Sequence, residues 1–141
     1  MSALCDSILD AWQRAWGNGE VEAFTGLVAE NYTRQSKSGQ ESIEEVVDQI
    51  NSQHNAFSDY RMDILRSVEG ETEVAIYWRS IGRHTGEYMG VPPTGREVVV
   101  TGASFIRVEH GKITDEDVVW DPREMLSAMR IVHLGDTRRK K

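Results

Sequence analysis

The chain changes its hydrophobic period near its middle. Before residue 59, apolar residues recur at three- and four-residue steps; after it they alternate. Leu4, Ile8, Trp12, Ala15 and Trp16 mark one face of a first helix, which Gly17-Asn18-Gly19 stops. Val21, Phe24, Leu27 and Val28 predict a second, shorter helix with Asn18 as its cap. Ser42-Ile43-Glu44-Glu45 is a capping box opening a third, with Ile43, Val46, Val47 and Ile50 inward. His54 continues that face and reads as a core or edge histidine.

Tyr60–Val68 and the alternating Val74, Ile76 and Trp78 predict two strands. Residues 96–109 predict a long third, with Val98, Val100, Ile106 and Val108 on one face. His110-Gly111-Lys112 turns it into a fourth, Ile113–Trp120. Asp121-Pro122 then starts a short helix through Met125, Leu126 and Met129. Helices followed by long antiparallel strands give an α+β fold class. Two segments read as loops: Arg34–Gly39, and a stiff one at Gly90–Gly95 that carries two prolines.

At 141 residues the chain is one domain, expected over 1–136. Residues 137–141 carry a basic run and are expected to be a disordered tail. The formal net charge of -7 repels phosphate backbones and anionic lipid, so neither nucleic acid nor a membrane is expected as partner. One cysteine, Cys5, allows no intrachain disulfide and fits a cytoplasmic protein. No segment reads as a membrane span or signal peptide. The phosphate-binding, dinucleotide and nucleophile-elbow motifs are absent, and the four histidines lie far apart. No metal and no cofactor are therefore expected. The remaining chemistry belongs to carboxylates, hydroxyls, amides and one histidine.

Gly82-Arg83-His84-Thr85-Gly86 through Gly90-Val91-Pro92-Pro93-Thr94-Gly95 resembles the G-x-H-T-G…G-[IV]-P-P-T-G stretch of SnoaL-like polyketide cyclases. Arg107-Val108-Glu109-His110-Gly111-Lys112-Ile113 resembles their R-V-x-x-G-K-I, and Ala56-Phe57-Ser58-Asp59-Tyr60 their A-F-P-D-L segment. The resemblance implies an NTF2-like cone, a curved antiparallel sheet wrapped on helices around an internal pocket. It implies cofactor-free aldol cyclisation or a related proton transfer on an apolar carbonyl compound. Ketosteroid-isomerase-like, epoxide-hydrolase-like and purely ligand-binding relatives share the fold. It also implies a homodimer formed through the sheet.

Asp121 matches the family's acid–base aspartate, although Asp-Pro-x-Glu is equally an N-cap pattern. His84 matches H-T-G and is expected either to meet substrate or to satisfy backbone at a sheet corner. Period two puts Asp115, Asp117, Val119 and Asp121 on one strand face and Glu116, Val118 and Trp120 on the other. If the aspartate face is the pocket face, Asp117 joins Asp121 as a second acid; if it is outward, Asp115 and Asp117 are a solvated edge and Asp121 loses its pocket. Asp117 stands where the family commonly has tryptophan, and Gln35 near where many members have histidine. Trp78, Tyr32, Gln35 and Tyr88 are the expected substrate contacts, with Asn31 and Tyr77 as further candidates.

Overall fold

The computed structural model describes residues 2–36 and 39–130. The basic run at 138–141 and His133 lie outside the described residues. The elements are α1 (Ala3–Asn18), α2 (Val21–Thr25), β1 (Val28–Ser36), β2 (Gly39–Glu41), α3 (Ile43–Ala56), β3 (Phe57–Glu69), β4 (Glu73–His84), β5 (Glu97–Glu109), β6 (Lys112–Trp120) and α4 (Pro122–Ala128). One six-stranded sheet runs in the order β2-β1-β6-β5-β4-β3. Breaks in register within β3, between β1 and β6 and near the end of β5 bend it into a curved, unclosed wall. This is the expected mixed α+β architecture.

Local chemistry explains the boundaries. Ser2 caps α1 by accepting the Cys5 N–H, and Gly19 closes it at φ 77°. The capping box forms as read: Ser42 Oγ takes the Glu45 N–H, and Glu45 reaches back to the Ser42 N–H. His110 and Gly111, both at positive φ (52° and 75°), make the tight β5–β6 turn.

Two expectations about the first half need correction. Helix α2 stops at Thr25, and Val28 opens a strand; Asn18 is the last residue of α1, not the cap of α2. Arg34–Ser36 is strand, not loop, because β1 inserts between β2 and β6. Its pairing with β6 is parallel, so the β6 partner comes from 82–85 residues downstream in an otherwise antiparallel sheet. Such a non-local partner leaves little trace in local periodicity.

The inner face of the sheet packs on α1 and α3. It carries Val74, Ile76 and Trp78 from β4, Val98, Val100 and Ile106 from β5, and Val118 from β6, all buried. Trp12 of α1 packs against Trp16 and Trp78, ring centres 6.4 and 6.5 Å away. Trp78 faces Gly102 across the β4–β5 pair, and its indole lies where a Gly102 side chain would be. The missing Cβ is therefore a seat for the indole. Among the described residues no helix is long and apolar enough to cross a membrane.

Gly102→Ala should destabilise the protein by about 1–3 kcal/mol through overpacking against Trp78. Urea unfolding checks this, and the Trp78 indole environment should change with it.

Candidate functional site

Sheet and helices enclose a small hollow of about 50 Å³. Its wall includes all four tryptophans of the chain, Trp12, Trp16, Trp78 and Trp120. Tyr60, Tyr88, Met62 and Met125 complete the apolar part. The polar groups are Arg34, Gln49, Gln53 and Ser80. A side recess of about 20 Å³ shares Gln53, Tyr60, Ser80, Val100 and Met125 and adds Phe57, Gly82 and Val98. A cavity of this size holds a few waters. Tyr60 O–H donates to Gln53 Oε1 at 3.0 Å. Desolvation raises the Tyr60 and Tyr88 hydroxyls above the ordinary phenol pKa, Tyr60 strongly, so both stay protonated.

A buried polar network closes the inner end. Arg34 is only 7% exposed. Its Nη1 donates to Glu41 Oε1 at 2.9 Å and to Gln49 Oε1 at 2.6 Å, and its guanidinium lies 4.8 Å from the Trp16 ring centre. Gln49 Nε2 donates to Glu41 Oε2. Glu116, at 1% exposure, takes the Trp12 indole N–H and the Tyr32 O–H, each at 3.3 Å, with Arg34 Nε 4.0 Å away. Burial first, and the Glu116 charge second, raise the Tyr32 pKa, so Tyr32 acts as a donor only.

The expected site residues divide among five places. Trp78 and Tyr88 line the inner cavity. Tyr32 lies behind it, bonded to Glu116. Gln35 and Asp117 are register partners on β1 and β6, and both line an open polar groove of about 650 Å³ on the outer face, with Asn31, Thr33 and Asp115. The aspartate face of β6 is thus the outer one, and no crowding of carboxylates arises in the inner cavity. Tyr77 is also exposed on the outer face.

Asp121 stands at the junction of β6 and α4; its chain neighbour Trp120 and, four residues on, Met125 line the inner cavity, but Asp121 itself does not, and its side chain is 46% exposed. Its carboxylate caps α4 by accepting the Arg123 N–H at 2.9 Å, and pairs with the Arg123 guanidinium at 3.0–3.2 Å. Helix α4 is tied to β5 through Glu124, which accepts from the Thr101 N–H and hydroxyl.

His84 is fully buried at the end of β4 and does not line the inner cavity. Its Nδ1 receives the Thr94 N–H at 3.2 Å and contacts the Thr94 hydroxyl at 3.0 Å. An amide only donates, so Nδ1 is the acceptor and Nε2 carries the proton. The Thr85 and Gly86 amides both donate to Ala56 O, and a side chain at 86 would strike Asn55 O. His84-Thr85-Gly86 and Thr94-Gly95 therefore clip a sheet corner onto the end of α3.

Sequence reasoning passed over Arg34, Glu116, Trp16, Gln49, Gln53 and Ser80. One signal was available for Glu116: between Ile113 and Trp120 it is the only charged residue alternating with Val118 and Trp120. Among the described residues no cluster of three or more His, Cys, Asp or Glu is placed to hold a metal ion.

Arg34→Met strands two carboxylates without their counter-charge and should cost about 3–5 kcal/mol of stability. Glu116→Gln keeps an acceptor for Trp12 and Tyr32 and should cost clearly less; urea unfolding at neutral pH compares the two.

Solved structures share the fold throughout. TsrD from Streptomyces laurentii superposes with a TM-score of 0.84 at 15% identity, covering 94% of this chain and 98% of its own. AclR from Streptomyces galilaeus, a candidate hydroxylase, gives 0.79 at 24% identity over 93% and 96%. IdmH from Streptomyces antibioticus, a candidate polyketide cyclase, gives 0.78 at 22% identity over 92% and 99%. These neighbours have the NTF2-like fold. Comparison with curated protein sequences returns no match. The family profile described as SnoaL-like polyketide cyclase matches residues 6–129, and the chain belongs to that family.

Proposed function

We propose that the chain acts on an apolar carbonyl compound held in the inner cavity, by aldol cyclisation or a related proton transfer that needs no cofactor. The observation that carries this reading is the hollow itself: a lining rich in aromatic side chains that also includes Arg34, Gln49, Gln53 and Ser80. Family membership supports the reaction class. Asp121 is the proposed acid–base group, because it matches the family's aspartate and directly follows the wall residue Trp120 in the chain; to meet a bound carbonyl its carboxylate has to turn from Arg123 toward the cavity. A carboxylate near a carbonyl takes a proton from the adjacent carbon and returns one to oxygen, worth about 10² to 10⁴ in rate. His84 acts on the site only through its corner, by holding the loop that carries Tyr88. Asp117 is proposed for the outer groove rather than for proton transfer.

A second reading is ligand binding without turnover. Two observations favour it: the engagement of Asp121 with Arg123 and the α4 N-terminus, and a cavity of only about 50 Å³. A bicyclic substrate needs Met125 and Trp120 to move apart.

Solvent deuterium incorporation beside the carbonyl, followed by mass spectrometry over a panel of aromatic ketones and β-dicarbonyl compounds, separates the readings. Asp121→Asn should lower exchange by about 10² to 10⁴. Folding should stay nearly unchanged, because asparagine also caps helices. Unchanged exchange in the variant would refute the assignment, and binding without exchange in wild type would favour the second reading.

The outer sheet face supports a homodimer. Tyr77, Val99, Phe105 and Val119 are exposed there, and Tyr77, Ala103 and Val119 follow one another across β4, β5 and β6. Val119→Lys should weaken self-association at least about tenfold, read by sedimentation velocity.

A further inference from the structure

Among the described residues four buried side-chain nitrogens lack a hydrogen-bond partner, Trp16 Nε1, Arg34 Nε, Arg79 Nε and His84 Nε2, and the first two belong to residues that line the inner cavity. Trp16 Nε1 and Arg34 Nε are shielded from solvent and make no hydrogen bond among the described residues. Trp16 is 3% exposed and Arg34 7%, and both side chains line the cavity. They also touch each other, guanidinium over indole. Neighbouring indole donors are in use. The Trp12 indole gives its proton to Glu116, the Trp78 indole to Ser104, and Arg34 Nη1 serves Glu41 and Gln49. Buried donors are nearly always satisfied, so two unmet ones on one cavity mark the place where an acceptor is meant to come from outside the chain.

The charges around them choose the acceptor. Arg34 supplies one positive charge, and Glu41 and Glu116 face it with two carboxylates. A carboxylate or phosphate entering here adds a third anion to a dry site that holds one cation. An uncharged carbonyl oxygen accepts the same hydrogen bonds and adds no charge. The rest of the cavity, Trp78, Trp120, Met62 and Met125, suits a hydrocarbon body.

We infer that Trp16 and Arg34 together hold the carbonyl oxygen of an uncharged ketone and discriminate against carboxylates. This rests on the cavity being the ligand site, as proposed above, and gives that site its polar recognition point. The oxygen would sit at the inner end, against β1, with the hydrocarbon directed toward Met125 and α4.

The test uses three small probes of one shape: cyclopentanone, methylenecyclopentane, which lacks the acceptor, and cyclopentanecarboxylate. Each is titrated into the full chain and followed by the indole N–H signals in ¹H–¹⁵N spectra. The ketone should bind about tenfold tighter than the alkene, the worth of one good buried hydrogen bond. It should shift the Trp16 indole proton downfield, and the carboxylate should bind more weakly than either. Trp16→Phe keeps a ring and removes the N–H, so it should erase the preference for ketone while leaving alkene affinity near wild type. Should that variant fold poorly, the wild-type comparison of the three probes decides alone. Equal binding of ketone and alkene overturns the donor assignment and leaves the cavity reading intact. Carboxylate binding as tight as the ketone overturns it too. Binding of none of the three overturns both the assignment and the cavity reading.

Discussion

A guanidinium held dry between two carboxylates and an indole ring fixes the inner end of this molecule. Arg34 reaches that position only because β1 lies beside β6 in parallel, which brings residue 34 level with Glu116. Removing an ion from water is expensive unless its partners surround it, so the network is stable only as a set. Glu41 from β2, Gln49 from α3 and Glu116 from β6 supply that set. Three separate elements are thereby tied to one charge. The position of the cavity wall follows from where that charge is satisfied.

Much of the architecture is written in local pattern. The capping box at Ser42, the β5–β6 turn at His110-Gly111 and the alternation in β4 and β5 each follow from chemistry within a few residues. The strand around Arg34 is different. Val28–Ser36 shows weak alternation, and its partner is far away in sequence, so nothing nearby announces it. That one element changes which residues form the site. With β1 read as helix and loop, Arg34 is a surface residue; with β1 in the sheet, it is buried. The direction of β6 was open for a related reason. Period two separates Glu116, Val118 and Trp120 from the aspartates without saying which set faces inward. Trp120 and Val118 decide it, because burying them stabilises more than burying Asp115 and Asp117 could.

The residues that carry the family likeness and the residues that line the cavity are largely different. His84, Thr85, Gly86, Thr94 and Gly95 are bound to one another and to Ala56 in a corner. Their spacing is demanded by backbone geometry: a glycine where Asn55 O passes close, and a threonine whose amide and hydroxyl both meet one imidazole nitrogen. Motifs of this kind report a fold with high fidelity and a reaction with low fidelity. The cavity is made by scattered tryptophans, Arg34 and two glutamines, which no contiguous motif captures.

The clip between His84 and Thr94 has an evolutionary consequence. It seals the stem of the excursion from residue 85 to 93, so changes in its exposed tip at Met89-Gly90 need not propagate into the sheet. Tyr88 is the one side chain of that excursion that reaches the hollow. Changes of length or composition at the tip are thus confined to the excursion, which meets the hollow only through Tyr88.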